Sequence, residues 1–214
     1  MKKRLMPVLA TDLTYLGLTA EVDRTYFASA SREYSVELIS VAAIAENLVI
    51  GSNGEVPWPH IPEDVDQYRA RVAHSPVILG RRTYESMRGD LPGSYQIVIS
   101  RQLDEALDTT AVVAADVESA IAYGMKFLSK LPTDETNDSV YVLGGGAIYD
   151  LFLPYLDRMV LSHVHGSYEG DSQYPAWDET EWEIISEADY DAFTLREWGR
   201  QDERRDETST SQSN

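Results

Sequence analysis

The residues of this chain with the means to do chemistry gather where apolar runs end. Asp64 opens a stretch whose apolar positions, Val65, Tyr68 and Val72, recur at helical spacing. A carboxylate there can simply complement the helix dipole, and that reading suits the neighbouring Glu63. Asp64, one residue before Val65, can equally be the single ionisable group of an apolar cleft. Farther on, Gly80-Arg81-Arg82-Thr83 places a glycine, two cations and a hydroxyl after an apolar run. With Arg101 just past Ser100, these guanidinium groups offer forked donors to a phosphate. They can also be surface arginines pairing with acidic neighbours, and for Arg101 both readings stand. Gly144-Gly145-Gly146-Ala147-Ile148-Tyr149 lies between an apolar strand and a helix. Bare amides and the positive helix end can hold a pyrophosphate there. A glycine triplet can also be only a tight turn, and neither the dinucleotide fingerprint nor the P-loop pattern is present.

The elements that must position these residues alternate between strand and helix. Leu38-Ile-Ser-Val-Ala-Ala-Ile-Ala45 is apolar enough for a strand covered on both faces. A loop rich in glycine, asparagine and proline comes next, and Pro62 suits the first turn of a helix from about Glu63 to Ala73. The pattern then predicts a strand over Pro76–Gly80, a short helix to about Met87, and strands over Gln96–Ser100 and Val112–Ala114. Asp116 caps a helix through about Leu128, Val140–Leu143 is a buried strand, and Ala147–Leu153 is a helix stopped by Pro154. Runs beginning at Arg158, Trp182 and Phe193 have little helix between them, which favours antiparallel pairing at the sheet's end. The fold class is α/β.

Composition bounds the rest. The 214 residues suffice for one core with tails. Against 18 Lys and Arg stand 36 Asp and Glu, a net charge of -18, so nucleic acid and anionic membranes are repelled. Lysine occurs only at Lys2, Lys3, Lys126 and Lys130. Such an acidic, lysine-poor surface suits molar salt, where the Debye length is about 3 Å, and predicts instability in dilute buffer. With no cysteine, disulfides, thiolate metal sites and a Cys nucleophile are excluded, and redox chemistry needs a borrowed cofactor. No apolar run approaches the ~20 residues that span a bilayer. His163 and His165 alternate on one strand without a third ligand pattern, so no metal is expected, and no Ser-His-Asp spacing supports hydrolysis. Trp177, Trp182 and Trp198 fit packing better than base stacking. Residues 1–35 show no sustained period and carry Lys2, Lys3, Arg4, Arg24 and Arg32, unlike the acidic remainder of the chain. We expect a poorly ordered extension there, with translation starting at Val36, then one domain over 36–199 and a disordered polar tail over 200–214.

Val41-Ala42-Ala43, Ile50-Gly51, Pro57-Trp58, Asp64, Gly80-Arg81, Thr83, Leu91-Pro92-Gly93, Gly144-Gly145-Gly146, Tyr149 and Glu169-Gly170-Asp171 occur in the order and approximate spacing typical of dihydrofolate reductases. From about Val36 to Trp198 the chain resembles that family, and its acidic background resembles the members from halophilic archaea. The resemblance implies a single domain with a mixed, mostly parallel eight-stranded sheet, four flanking helices and an antiparallel C-terminal edge. It implies NADPH as cofactor and dihydrofolate as substrate, with Asp64 and Trp58 catalytic. Asp64 would bind the pteridine's 2-amino group and N3 and assist protonation at N5, beside the C6 that receives the hydride. Val41, Ala42, Val65, Tyr68, Met87, Leu91, Leu143, Tyr149 and Ser162 would line the substrate site, Ser162 bracing Asp64 where the family commonly has threonine. Val65, Tyr68 and Leu91 fit a plain core as well. Ala43 and Ile50 would offer backbone groups to the nicotinamide, and Gly51 to Trp58 would form a mobile lid. Gly80, Arg81, Arg82, Thr83, Ser100, Arg101 and Gly144 to Tyr149 would hold the rest of the cofactor.

The chain departs from the family in two ways. Ser94 stands where an arginine usually clamps the folate tail, leaving Arg71 or Arg88 as substitutes, and the loop from Trp58 to Asp64 is one residue longer. Two alternatives remain: the pyrimidine reductase of riboflavin synthesis, which Ser94 suits and Asp64 with Pro57-Trp58 does not, and a nucleotide-binding protein without catalysis. The expected state is a cytoplasmic monomer.

Overall fold

The computed structural model describes residues 36–101, 110–131 and 138–201. The expectations for residues 1–35 and for the tail past 201 lie outside the described residues. In chain order the elements are β1 (Glu37–Ala45), β2 (Val49–Gly51), α1 (Pro62–Val72), β3 (Pro76–Gly80), α2 (Arg81–Ser86), β4 (Tyr95–Ile99) and β5 (Ala111–Ala114). They continue with α3 (Val117–Leu128), β6 (Ser139–Val142), α4 (Gly146–Phe152), β7 (Arg158–Val164), β8 (Ser172–Gln173), β9 (Trp182–Asp189) and β10 (Phe193–Arg200). Eight strands form one sheet in the order β5-β4-β3-β6-β1-β7-β10-β9, and β2 pairs with β8 in a second, two-stranded sheet. From β5 to β7 neighbours are parallel; β10 runs antiparallel to both β7 and β9.

The apolar run of β1 feeds two cores because side chains alternate across a sheet. Ile39 and Val41 join the layer with Val72 of α1 and Tyr84 of α2, while Leu38 and Ile44 join the layer with α3 and α4. Each fully buried side chain of this kind contributes roughly 1.5–3 kcal/mol, so helices on both faces anchor the strand. Asp116 caps α3 as its sequence predicts: its carboxylate accepts the Ser119 N–H at 2.8 Å, and the Ser119 hydroxyl accepts the Asp116 N–H at 3.3 Å. Pro62 is the first residue of α1. Pro154 does not simply stop its helix: α4 ends at Phe152, and Pro154 sits in a 3-10 turn over Leu153–Tyr155. β10 runs on through Arg200, whose N–H donates to the Asp157 carbonyl at 3.0 Å.

Candidate active site

The sheet opens where β1 and β6 part. β6 pairs with β1 only from Glu37 to Ser40, whereas β7 accompanies β1 to Ala45. Past Ser40, β1 therefore has a partner residue on one side only. There the Val41 carbonyl accepts the Tyr149 hydroxyl at 2.7 Å. Ala42 and Ala43 come next, both half-buried, and the chain leaving β6 turns away through Leu143 and the glycines. A crevice at the carboxyl ends of parallel strands is where α/β proteins take their ligands.

Close packing shapes the glycine turn. Gly144 has φ +90, and a Cβ there would lie 2.4 Å from the Tyr149 ring; a Cβ on Gly146 would lie 2.5 Å from the Gln173 carbonyl oxygen. Only hydrogen fits at either position. The turn is also tied to the second phosphate-ready corner, since the Gly80 N–H donates to the Gly144 carbonyl at 2.7 Å. Ile148 packs over Gly80, and the Thr83 hydroxyl lies near Gly145. Arg81 and Arg82 begin α2 at that corner; Arg81 pairs with Glu85 at 2.8 Å, and Arg82 is exposed. Ser100 and the exposed Arg101 lie just past β4, the neighbour of β3. The structure thus brings together two motifs more than 60 residues apart in sequence.

On the opposite face Asp64 lies half-buried in the first turn of α1. Its carboxylate oxygen Oδ1 accepts the Gln67 side-chain amide at 3.1 Å, and the same nitrogen lies 3.3 Å from the Ser162 hydroxyl on β7. Ser162, expected to brace Asp64, is linked to it through Gln67. Tyr68, farther along α1, has its hydroxyl pushed above its ordinary value by burial, with Arg69 opposing and Asp90 and Asp64 adding to the rise. Tyr149 is raised well above its ordinary value, first by burial and then by Tyr174, Tyr68 and Asp64. Asp64, Tyr68 and Tyr149 are thus close enough to influence one another electrostatically, and Tyr149 is the one whose hydroxyl reaches the Val41 carbonyl. Behind them the Tyr149 and Tyr174 rings lie 4.7 Å apart, and the Tyr174 hydroxyl meets the buried Ser40 hydroxyl at 2.7 Å.

Trp58 is buried in the same layer as Val41, Leu143 and Val72, edge-on to Tyr168 at 5.5 Å. Tyr68 and Leu91 pack against that layer, Val65 is half-buried, Met87 ends α2, and Ile50 and Gly51 lie on β2. At the other end of α1, Arg71 donates to Glu197 at 2.7 Å, and Arg158 binds the second oxygen of Glu197 at 2.5 Å. Arg71 is thus already engaged by a carboxylate from β10. Arg69 instead reaches Asp90, just before Leu91, through two hydrogen bonds. Ser94 donates to the Ala73 carbonyl at 3.2 Å, and Arg88 lies over the Tyr84 ring. His163 has its pKa lowered to about 4, by burial first and then by Arg196. Among the described residues no group of three or more His, Asp or Glu side chains is placed to hold a metal ion, and no helix is long and apolar enough to cross a membrane.

A sheet parallel from β5 to β7, with a glycine turn at the carboxyl ends of β3 and β6 and an acid tethered to β7, is an α/β architecture with the features of a ligand site. The family model for dihydrofolate reductase matches residues 37–197. Dihydrofolate reductase 1 of Haloarcula marismortui is 40% identical over 170 residues, 76% of this chain and 90% of that protein. Dihydrofolate reductase HdrB of Haloferax volcanii is 35% identical over 166 residues, 75% of this chain and 82% of that protein. Among solved structures, dihydrofolate reductase from Enterococcus faecalis, complexed with NADP(H) and RAB-propyl, aligns with a TM-score of 0.66 at 26% identity over 78% of this chain and 97% of that one. The chain belongs to the dihydrofolate reductase family.

Proposed function

We propose that this chain reduces 7,8-dihydrofolate to tetrahydrofolate with NADPH, as a cytoplasmic monomer adapted to high salt. The observation that carries the reading is the half-buried Asp64 in the first turn of α1, fixed through Gln67 to Ser162 of the sheet. The fit of the cofactor rests on the glycine corner. Gly144 and Gly146 leave backbone where any side chain would collide, and the Gly80–Gly144 hydrogen bond joins that turn to Arg81, Arg82 and Thr83. These residues would hold the phosphates, and the Ala43 and Ile50 backbone would hold the nicotinamide. Bound there, NADPH supplies the hydride that C6 of the substrate receives.

Asp64 binds the 2-amino group and N3 of the pteridine, and its carboxyl helps deliver the proton that N5 gains. Hydride plus proton balances the reduction: dihydrofolate would gain two electrons and two hydrogens, across C6 and N5, with NADPH as the two-electron donor. Trp58, Leu143 and Val41 give the pocket apolar walls that exclude water, which strengthens each charged hydrogen bond inside. Tyr68 and Leu91 flank the path of the aminobenzoyl group. Where Ser94 replaces the usual arginine, Arg69, Arg71 and Arg88 are the nearby cations in sequence, and Arg69 and Arg71 already hold the carboxylates of Asp90 and Glu197. Loss of NADPH absorbance on adding dihydrofolate in molar potassium chloride tests the reading. Oxidation with dihydrofolate is the expected result; oxidation only with the pyrimidine substrate of riboflavin synthesis, or with neither, would reject it.

A further inference from the structure

We infer that Gln67 is the positioning residue that fixes the Asp64 carboxylate, which rests on the reading of Asp64 as the acid that binds the pteridine. One side-chain nitrogen of Gln67 reaches both the Asp64 carboxylate, at 3.1 Å, and the Ser162 hydroxyl, at 3.3 Å. An ionised carboxylate only accepts hydrogen bonds, so the amide must turn its NH2 toward Asp64. The other end of the amide, Oε1, is then buried and has no hydrogen-bond partner.

A buried acceptor left unmatched works against folding. Rotating the amide would not help, because it would set that oxygen against an oxygen of Asp64. The side chain is therefore placed for what it does to Asp64, not for what it adds to stability. Ser162 supplies the fixed point: it is 1% exposed and lies on β7, between β1 and β10 in the sheet. Asp64, by contrast, sits in the first turn of a helix whose N-cap, Ile61, gives no side-chain cap. Gln67, one turn along on the same face, couples that loose end to the rigid strand. It holds Oδ1 and thereby sets the plane in which both carboxylate oxygens meet a flat ligand. Two parallel hydrogen bonds to one heterocycle need that plane fixed in advance.

Gln67→Met keeps length and volume, removes the donor, and also removes the unmatched Oε1. We expect it to melt no lower than wild type, whereas affinity for folate, a ligand that can be titrated by fluorescence without turnover, falls about tenfold. Its kcat/KM for dihydrofolate should fall by a similar factor and its NADPH affinity should stay unchanged. Ser162→Ala, which frees the anchor but leaves the Asp64 contact, should lose about threefold. In an Asp64→Asn background, Gln67→Met should cost nothing further in folate affinity. Unchanged folate binding in Gln67→Met, an equal loss in the Asp64→Asn background, or a loss matched by a lower melting point would each overturn the inference. A wild-type chain that neither binds folate nor oxidises NADPH with dihydrofolate would instead remove the underlying reading, and this inference with it.

Discussion

β1 and β9 are strands of nearly equal length, nine and eight residues, in the same sheet, yet they are held by different physics. β1 lies between β6 and β7 with helices on both faces and exposes only Glu37. β9 is an edge strand and buries only Trp182, leaving Ile184 and Ile185 46% and 49% exposed. Its place depends on the ladder to β10 and on cross-strand polar pairs such as Arg196–Glu187 at 2.6 Å and Thr194–Asp189 at 2.9 Å. Exposed pairs of this sort contribute up to about 1 kcal/mol each. The contrast explains where chemistry can reside. Acids on β9 lie in solvent and add only such exposed pairs, whereas near β1 a buried hydrogen bond such as Tyr149–Val41 ties the chain together around the crevice.

That comparison can be broken or sharpened by mutation. The largest stability loss should come from Gly146→Val, because the first added carbon already meets the Gln173 carbonyl at 2.5 Å. Overpacking against backbone should cost about 3 kcal/mol in urea unfolding and abolish measurable NADPH binding. Tyr149→Phe is next: losing the 2.7 Å bond leaves the Val41 carbonyl unmatched and should cost about 1–2 kcal/mol. His163 should give a smaller, pH-dependent effect. Its pKa in the folded chain is lowered to about 4 from 6.5, so the unfolded chain takes up the proton first on acidification. Its contribution to stability is complete above 6.5 and is lost as pH falls toward about 4. His163→Phe should therefore lose less stability than wild type over that window, as urea midpoints measured at its two ends would show. The smallest effect should come from Ile185→Thr on β9, within about 0.5 kcal/mol of wild type. A loss as large as that of Tyr149→Phe would mean that the edge strand is held by more than its ladder and polar pairs.

Much of the fold is legible in the sequence, because the elements announce themselves by apolar length and end signals. Pro62 and Asp116 mark helix starts correctly, and the alternation from Leu38 to Leu143 yields the parallel part of the sheet. The β2–β8 pair escapes because strands of three and two residues are too short to show a period. At the site, the acid, the glycines and the arginines advertise themselves by residue type. Gln67 does not, since a neutral amide carries no charge or backbone signature; its only signal is lying three positions after Asp64. Arg71 is a plausible cation for the substrate in sequence, but Glu197, 126 residues away, occupies it, and such a pairing exists only in the folded chain. Ser40 and Tyr174, 134 residues apart, are joined in the same way.

In the proposed reaction, reduction depends most on the Asp64 carboxylate. Single-turnover oxidation of NADPH by saturating dihydrofolate, followed in wild type and Asp64→Asn, measures that dependence directly. We expect Asp64→Asn to keep wild-type NADPH affinity while the hydride-transfer rate falls at least about a hundredfold, as loss of a general acid requires. A variant that oxidised NADPH at the wild-type rate would contradict the role given to this acid.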